Sequence, residues 1–253
     1  MVAAALLVTA CGPVDAGEPA ASEYEAWVDD VEGVESADVD GQNPWPYQGA
    51  VTATVVLERS LGAPEVVEVL DELGTFEFDE STNSSIEVDV VYVVGDAEVT
   101  MRGAWGTDPE AWAALVTDPA LRETATEVIV SLGDLAVDDD EVSLVAVTRG
   151  DAVAGVAVLD AAVERHLGAP VTEHSIRDAG STTGVDGELT GPAREVYARI
   201  AAAHSITGGQ VRAGEVWVTL PALDPAVRPE VVSRITAMST QDVVVEVRDD
   251  PSS

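Results

Sequence analysis

Cys11 is the only thiol in this 253-residue chain, and a thiolate is the strongest nucleophile an unmodified side chain offers for acylation. With no second cysteine, an internal disulfide is impossible. Cys11 directly follows the apolar run 2–10, in the context Val8-Thr9-Ala10-Cys11-Gly12. The three histidines are His166, His174 and His204. His166 and His204 fall at expected helix ends, where an imidazole meets the last carbonyls and the negative end of the dipole. His174 falls in an expected strand, from which it can pair with a distant acid. A metal centre needs several convergent ligands at tight spacing, and no such grouping is present in the sequence, so neither metal nor cofactor is assigned.

Two acidic segments and one glycine-rich segment invite a ligand reading that their detail does not sustain. Asp38-Val39-Asp40-Gly41-Gln42-Asn43 resembles the front of a calcium loop. The first ligand would be Ser36, however, and the twelfth position is Tyr47 rather than Glu. The acids of 138–141 suit a solvated turn, and segment 180–191 lacks the lysine of a phosphate-cradling loop. Motifs for serine hydrolases, zinc proteases, nucleotide loops and dinucleotide binding are absent from the sequence, so no catalytic residue is assigned. Asn43-Pro44-Trp45-Pro46-Tyr47 is more pointed. Two aromatics framed by prolines make a rigid apolar projection, so Trp45 and Tyr47 are candidate contacts for a protein or glycan partner. In the alternative, Trp45 folds back to cap the core.

Periodicity sets out the elements that position these residues. Tyr24, Trp27, Val28 and Val31 predict a helix over 22–30 capped by Ser22. A short strand over 34–40, a loop over 41–49 and a strand over 51–57 follow. Pro64 opens a helix with Val66, Val67, Leu70 and Leu73 on its core face. Strands then run over 86–92 and, after a turn at Gly95-Asp96, to Met101. The middle reads as a helix over 121–132, a strand over 142–148, a helix over 156–167 and a strand over 171–177. The C-terminal part repeats the first order: a helix around Val196 to His204, strands over 208–213 and 215–220, a helix around Val231 to Met238 and a last strand over 243–247. Pro64-Glu65-Val66-Val67 and Pro229-Glu230-Val231-Val232 open corresponding helices. The expectation is an α+β fold of tandem split β-α-β (ferredoxin-like) modules, with antiparallel sheets and helices on one face. Its divisions are a signal segment over 1–10, a tether over 11–21, a first module over 22–104, a middle segment over 105–179 that could be a degenerate module, a linker over 180–191 and a last module over 192–253.

Charge narrows the partners. The net charge is −35, from 47 acids against 12 basic residues, all of them arginine. Such a surface repels phosphates, so nucleic acid is excluded, and it repels anionic membrane surfaces as well. Acid excess without lysine fits either a high-GC genome or adaptation to high salt. Hydrophobic residues make up 46% of the chain, which suits a packed core.

Val8-Thr9-Ala10-Cys11, the apolar run before it and the small, acidic segment after it resemble the lipobox signal of bacterial lipoproteins, of the kind found in high-GC Gram-positive (actinobacterial) cells. The basic residues that open such signals are missing here, the first being Arg59. The resemblance implies cleavage before Cys11, lipid (palmitate among the acyl groups) on Cys11, and a domain held at the extracytoplasmic face of the cell membrane. It implies no activity. The resulting expectation is a non-catalytic envelope lipoprotein that meets the membrane through Cys11 and binds an unknown envelope protein or glycan. Two alternatives stay open: an enzyme or small-ligand receptor with an inter-module site near Asp178, Asp186 and Glu188, and an acidic cytoplasmic protein of halophile type.

Overall fold

The computed structural model describes residues 16–45, 48–78, 84–103, 108–132, 142–149, 152–178, 184–187, 191–206, 208–212 and 214–249. Cys11, Tyr47, Glu188 and the acids of 138–141 lie outside them. The chain divides into two compact units, one of Met1–Val93 with Thr100–Ala114 and the other of Val94–Val99 with Leu115–Ser253.

The first unit is built from α1 (Gly17–Val28), β1 (Val34–Trp45), β2 (Gln48–Leu57), α2 (Ala63–Leu73) and β3 (Ser84–Val94). β1 and β2 form an antiparallel hairpin. α2 then carries the chain back so that β3 pairs with β2 in parallel. Alternation decides which face is dry. Val51, Ala53, Val55 and Leu57 of β2 are buried, as are Val88 and Val90 of β3, and the pairs Ala53↔Val88 and Val55↔Val90 put them on one face. Val66, Val69, Leu70 and Leu73 of α2 are buried too, each such side chain contributing roughly 1.5–3 kcal/mol on leaving water. Tyr92 fastens the connection by donating its hydroxyl to the Leu61 carbonyl. The other face stays wet, with Asp38, Asp40, Thr52, Thr54 and Glu87 exposed.

Two boundaries in this unit differ from expectation. α1 begins at Gly17 rather than Ser22, so residues read as tether are helix, with Gly17, Ala20 and Ala21 buried. Their smallness serves close approach: a Cβ at Gly41 would fall 2.3 Å from the Gly17 carbonyl oxygen. Of the expected loop over 41–49, residues 41–45 and 48–49 are instead strand, paired through Gly41↔Val51, Gln42↔Ala50 and Trp45↔Gln48. A register shift between Gln42 and Trp45 accommodates Pro44, which has no N–H for a ladder.

β4 (Ala97–Arg102) and α3 (Pro109–Val116) fall where the chain passes from one unit to the other. The second unit continues with α4 (Pro119–Thr124), β5 (Ala125–Leu132), β6 (Val142–Thr148), α5 (Ala152–Leu167), β7 (Val171–Asp178), β8 (Gly184–Gly187), α6 (Gly191–Ala203), β9 (Gly208–Arg212), β10 (Glu215–Leu220), α7 (Arg228–Thr236) and β11 (Val244–Asp249). Each strand pairs with the next in sequence. β5/β6, β7/β8 and β9/β10 are antiparallel, while β6/β7, β8/β9 and β10/β11 are parallel.

This ladder gives an α+β fold in which the crossovers are not split. In a split β-α-β unit another strand separates the parallel pair, whereas here each pair is joined directly, as in Val218↔Val247. The sheet is accordingly mixed rather than antiparallel. Segment 184–187 of the expected linker is β8, hydrogen-bonded between β7 and β9. The expected helix over 121–132 stops at Thr124, and Ala125–Leu132 is a strand. Thr126, Val128, Ile129 and Val130 are β-branched and favour that state, and Asp118 caps only the short α4 by accepting the Ala120 N–H at 2.8 Å.

The helices do keep to one face. A Cβ on Gly155 of α5 would meet Thr148 of β6, and one on Gly209 of β9 would meet Tyr197 of α6. The pairs Leu144↔His174, His174↔Gly187 and Val185↔Gly209 place these contacts on the same side. The crossovers through α5 and α6 follow antiparallel strands, advance in one direction and share one face, so they have opposite hands. One of the two therefore departs from the right-handed rule that about 98% of such connections obey.

Candidate functional site

The end of the β1–β2 hairpin carries Trp45, one of the two candidate contacts read from the sequence. Asn43 on β1 turns its side chain to the start of α1, where its Oδ1 accepts the N–H groups of Ala16 and Gly17, each at 2.8 Å. Those donors have no partner within the helix, so a residue distant in sequence supplies the cap that Ser22 was expected to supply. A Cβ on Gly49 of β2 would come within 2.9 Å of the Ala16 carbonyl. Ala16 thus lies against both arms of the hairpin. Trp45 is 70% exposed and does not fold back over the core. That role belongs to a ring cluster of Tyr24, Trp27, Phe76 and Phe78, with successive centroids 4.9–5.6 Å apart. Burial pushes the Tyr24 phenol far above its usual range.

Asp38 and Asp40 share the wet face of extended β1, so they do not curl around a cation as a calcium loop would. On β3, Asp89 is paired with Arg102, whose Nη2 donates to Oδ2 at 2.8 Å. Among the described residues no group of three or more His, Cys, Asp or Glu is arranged to hold a metal ion.

In the second unit, α5 presents acids and histidines to its neighbours. His174 has a fully buried side chain, with Nε2 2.8 Å from Asp160 Oδ1 and Nδ1 3.3 Å from the Gly187 carbonyl. Arg194 of α6 approaches Asp160 at 3.7 Å. The distant acid expected for His174 is therefore Asp160, one helix away. Both ring nitrogens face protein acceptors, an arrangement that fastens elements together and offers no nitrogen to a substrate.

His166 ends α5 as expected, with Nε2 2.8 Å from Asp118 Oδ2. Arg165 donates to the same oxygen at 2.9 Å. Burial of Asp118 opposes ionisation, but the Ala120 N–H, His166 and Arg165 outweigh it and hold the carboxyl below the ordinary aspartate value. A depressed folded pKa gives stability that is present above the unfolded pKa and lost as pH falls through the folded one. Asp118→Asn should keep the cap and lose the charge. We expect a loss of about 1 kcal/mol at pH 7, modest because Arg165 is largely exposed. The gap should shrink toward pH 3, as measured by denaturant unfolding at both pH values. An undiminished gap at acid pH would contradict an electrostatic origin.

Asp178 ends β7, and Asp186 sits on β8 opposite Ser175. On the wet face of this unit the Arg248 guanidinium of β11 stacks 3.6 Å from the Trp217 ring of β10. Sequence reasoning passed over this pair. Strand alternation could have found it, since Trp217 and Arg248 both point away from buried Val216 and Val245.

These features define an α+β protein with helices on one face of its ladders and with His166 and His174 held in internal pairs. Comparison with protein-family models, curated proteins and solved structures finds no match to this chain.

Proposed function

We propose that this protein is an extracytoplasmic lipoprotein, anchored to the cell membrane through lipid on Cys11, with a non-catalytic binding role in the cell envelope. The observation that carries the non-catalytic part is the engagement of both His174 ring nitrogens by Asp160 and Gly187, which leaves the most buried imidazole no general-base task. Support for the binding role comes from polar strand faces, with Asp38, Asp40, Thr52, Thr54 and Glu87 in one unit and Trp217 with Arg248 in the other. Support for the anchor comes from Val8-Thr9-Ala10-Cys11. Among the described residues no helix is long and apolar enough to cross a membrane, and the acidic surface provides no attraction to anionic lipids.

Cells fed a clickable fatty acid should label the wild-type protein, and Cys11→Ala should reduce that label to background. The expressed gene should include any upstream start. Equal labelling of both proteins, or none in either, would end the lipoprotein reading.

A further inference from the structure

We infer that Trp45 is a second membrane contact, an indole seated in the lipid headgroup region beside the point where the lipidated N-terminus enters the fold. This inference rests on the lipoprotein reading above and adds to it an orientation. Residues 12–15 are all that separate Cys11 from Ala16. At roughly 3.3–3.6 Å per residue, the five steps from Cys11 to Ala16 span at most about 18 Å. Ala16 itself is fixed against the hairpin end: its N–H donates to Asn43 at 2.8 Å, and Gly49 of the opposite strand approaches its carbonyl. Trp45 lies between these two residues in sequence, in the last ladder pair of the hairpin. The anchor's entry and the exposed indole therefore occupy the same end of the first unit.

The chemistry of that end favours a lipid surface. Tryptophan is enriched at membrane interfaces, where its ring sits at headgroup level with an apolar body and a polar N–H. Trp45 is the most exposed of the large apolar side chains among the described residues, at 70%, and Pro44 precedes it. A short tether makes this contact intramolecular, so a weak preference is enough to hold it. Stable attachment of acylated proteins takes two signals, and Trp45 adds one that needs no basic patch. Glu18 of α1 and Asp40 of β1 flank the same end and oppose approach to anionic headgroups within about a Debye length, roughly 8–10 Å. Insertion is thus expected to be stronger into zwitterionic than anionic bilayers.

Because Cys11 is the sole cysteine, the full chain can be coupled through it to a maleimide lipid in vesicles, whatever happens in cells. Phosphatidylcholine vesicles with brominated acyl chains should quench tryptophan fluorescence in the coupled protein. Trp45→Ala should remove most of that quenching, while Trp217→Phe retains it. Replacing a third of the lipid with phosphatidylglycerol should at least halve the quenching, and added salt should restore it. No quenching in the wild type, or quenching that Trp45→Ala leaves unchanged, overturns the proposal and leaves the fatty-acid result standing. A photocrosslinker at position 45 that captures protein but no lipid on cells overturns it too. Failed acylation in cells overturns the reading beneath it independently of the vesicle result.

Discussion

Gly41→Val is expected to lower the stability of the first unit by about 3 kcal/mol and to lift α1 from β1, the upper end of what overpacking usually costs. The magnitude follows from what the new side chain would meet. A Cβ at position 41 lies 2.3 Å from the Gly17 carbonyl oxygen and 2.6 Å from its carbon. Both are backbone atoms at the start of a helix and cannot rotate aside. The reciprocal contact is equally tight, with a Cβ on Gly17 falling 2.3 Å from the Gln42 carbonyl oxygen. Gly17→Ala therefore supplies a test of sign. Helix propensity alone favours alanine by up to about 1 kcal/mol, and a flexible tether would be indifferent to the change. Helix packing against β1 predicts a net loss. Denaturant unfolding gives the energies, and amide exchange at residues 16 and 17 reports whether the Asn43 cap has opened. A stabilised Gly17→Ala would contradict the close approach of α1 and β1.

The same contact explains why the beginning of α1 was hard to see in sequence. Gly17, Ala20 and Ala21 carry almost no hydrophobic signal, so composition read them as tether, while their partner lies more than twenty residues away. The cap is equally hidden, because Asn43 is not adjacent to the helix it serves. Strongly periodic stretches were more legible. The helix opened by Pro64, the alternation of Val51, Ala53, Val55 and Leu57, and the strand containing His174 all follow from local pattern, since one face of each is dry. Segment 121–132 failed because its apolar positions fit helical spacing as well as a strand. Its β-branched residues and the brief cap at Asp118 decide the outcome.

Strand order was the least legible feature. A β-α-β segment predicts a parallel pair, but nothing local says whether another strand lies between the partners. The split arrangement and the direct pairing observed here share the same element order. What separates them is long-range: β8 contributes only four residues, Gly184–Gly187, from a glycine-rich segment that reads as linker. Gly187 tolerates this position because its φ of +104° suits glycine, and a Cβ there would fall 2.0 Å from the Val211 carbonyl oxygen of β9. Direct pairing with helices on one face then forces successive crossovers to alternate in hand.

Asp160→Ala is expected to cost about 3 kcal/mol, the scale for stranding a buried group whose charged partner is removed. His174 is wholly enclosed, and its Nε2 would face a cavity where Asp160 Oδ1 stood at 2.8 Å. Arg194 would lose its nearby carboxylate as well. His174→Leu should cost less, because an apolar side chain of similar size needs no partner and Asp160 keeps Arg194 and access to water. The double variant Asp160→Ala/His174→Leu should be more stable than Asp160→Ala alone by about 1–2 kcal/mol, and the coupling is that gain plus the cost of His174→Leu alone. Chemical denaturation of the four proteins closes the cycle. Simple additivity would contradict this prediction, because it would mean that the two side chains do not rely on each other. A restored double variant would mark this imidazole as an internal fastening between β7, β8 and α5. Its partners would then account for its presence without a reaction.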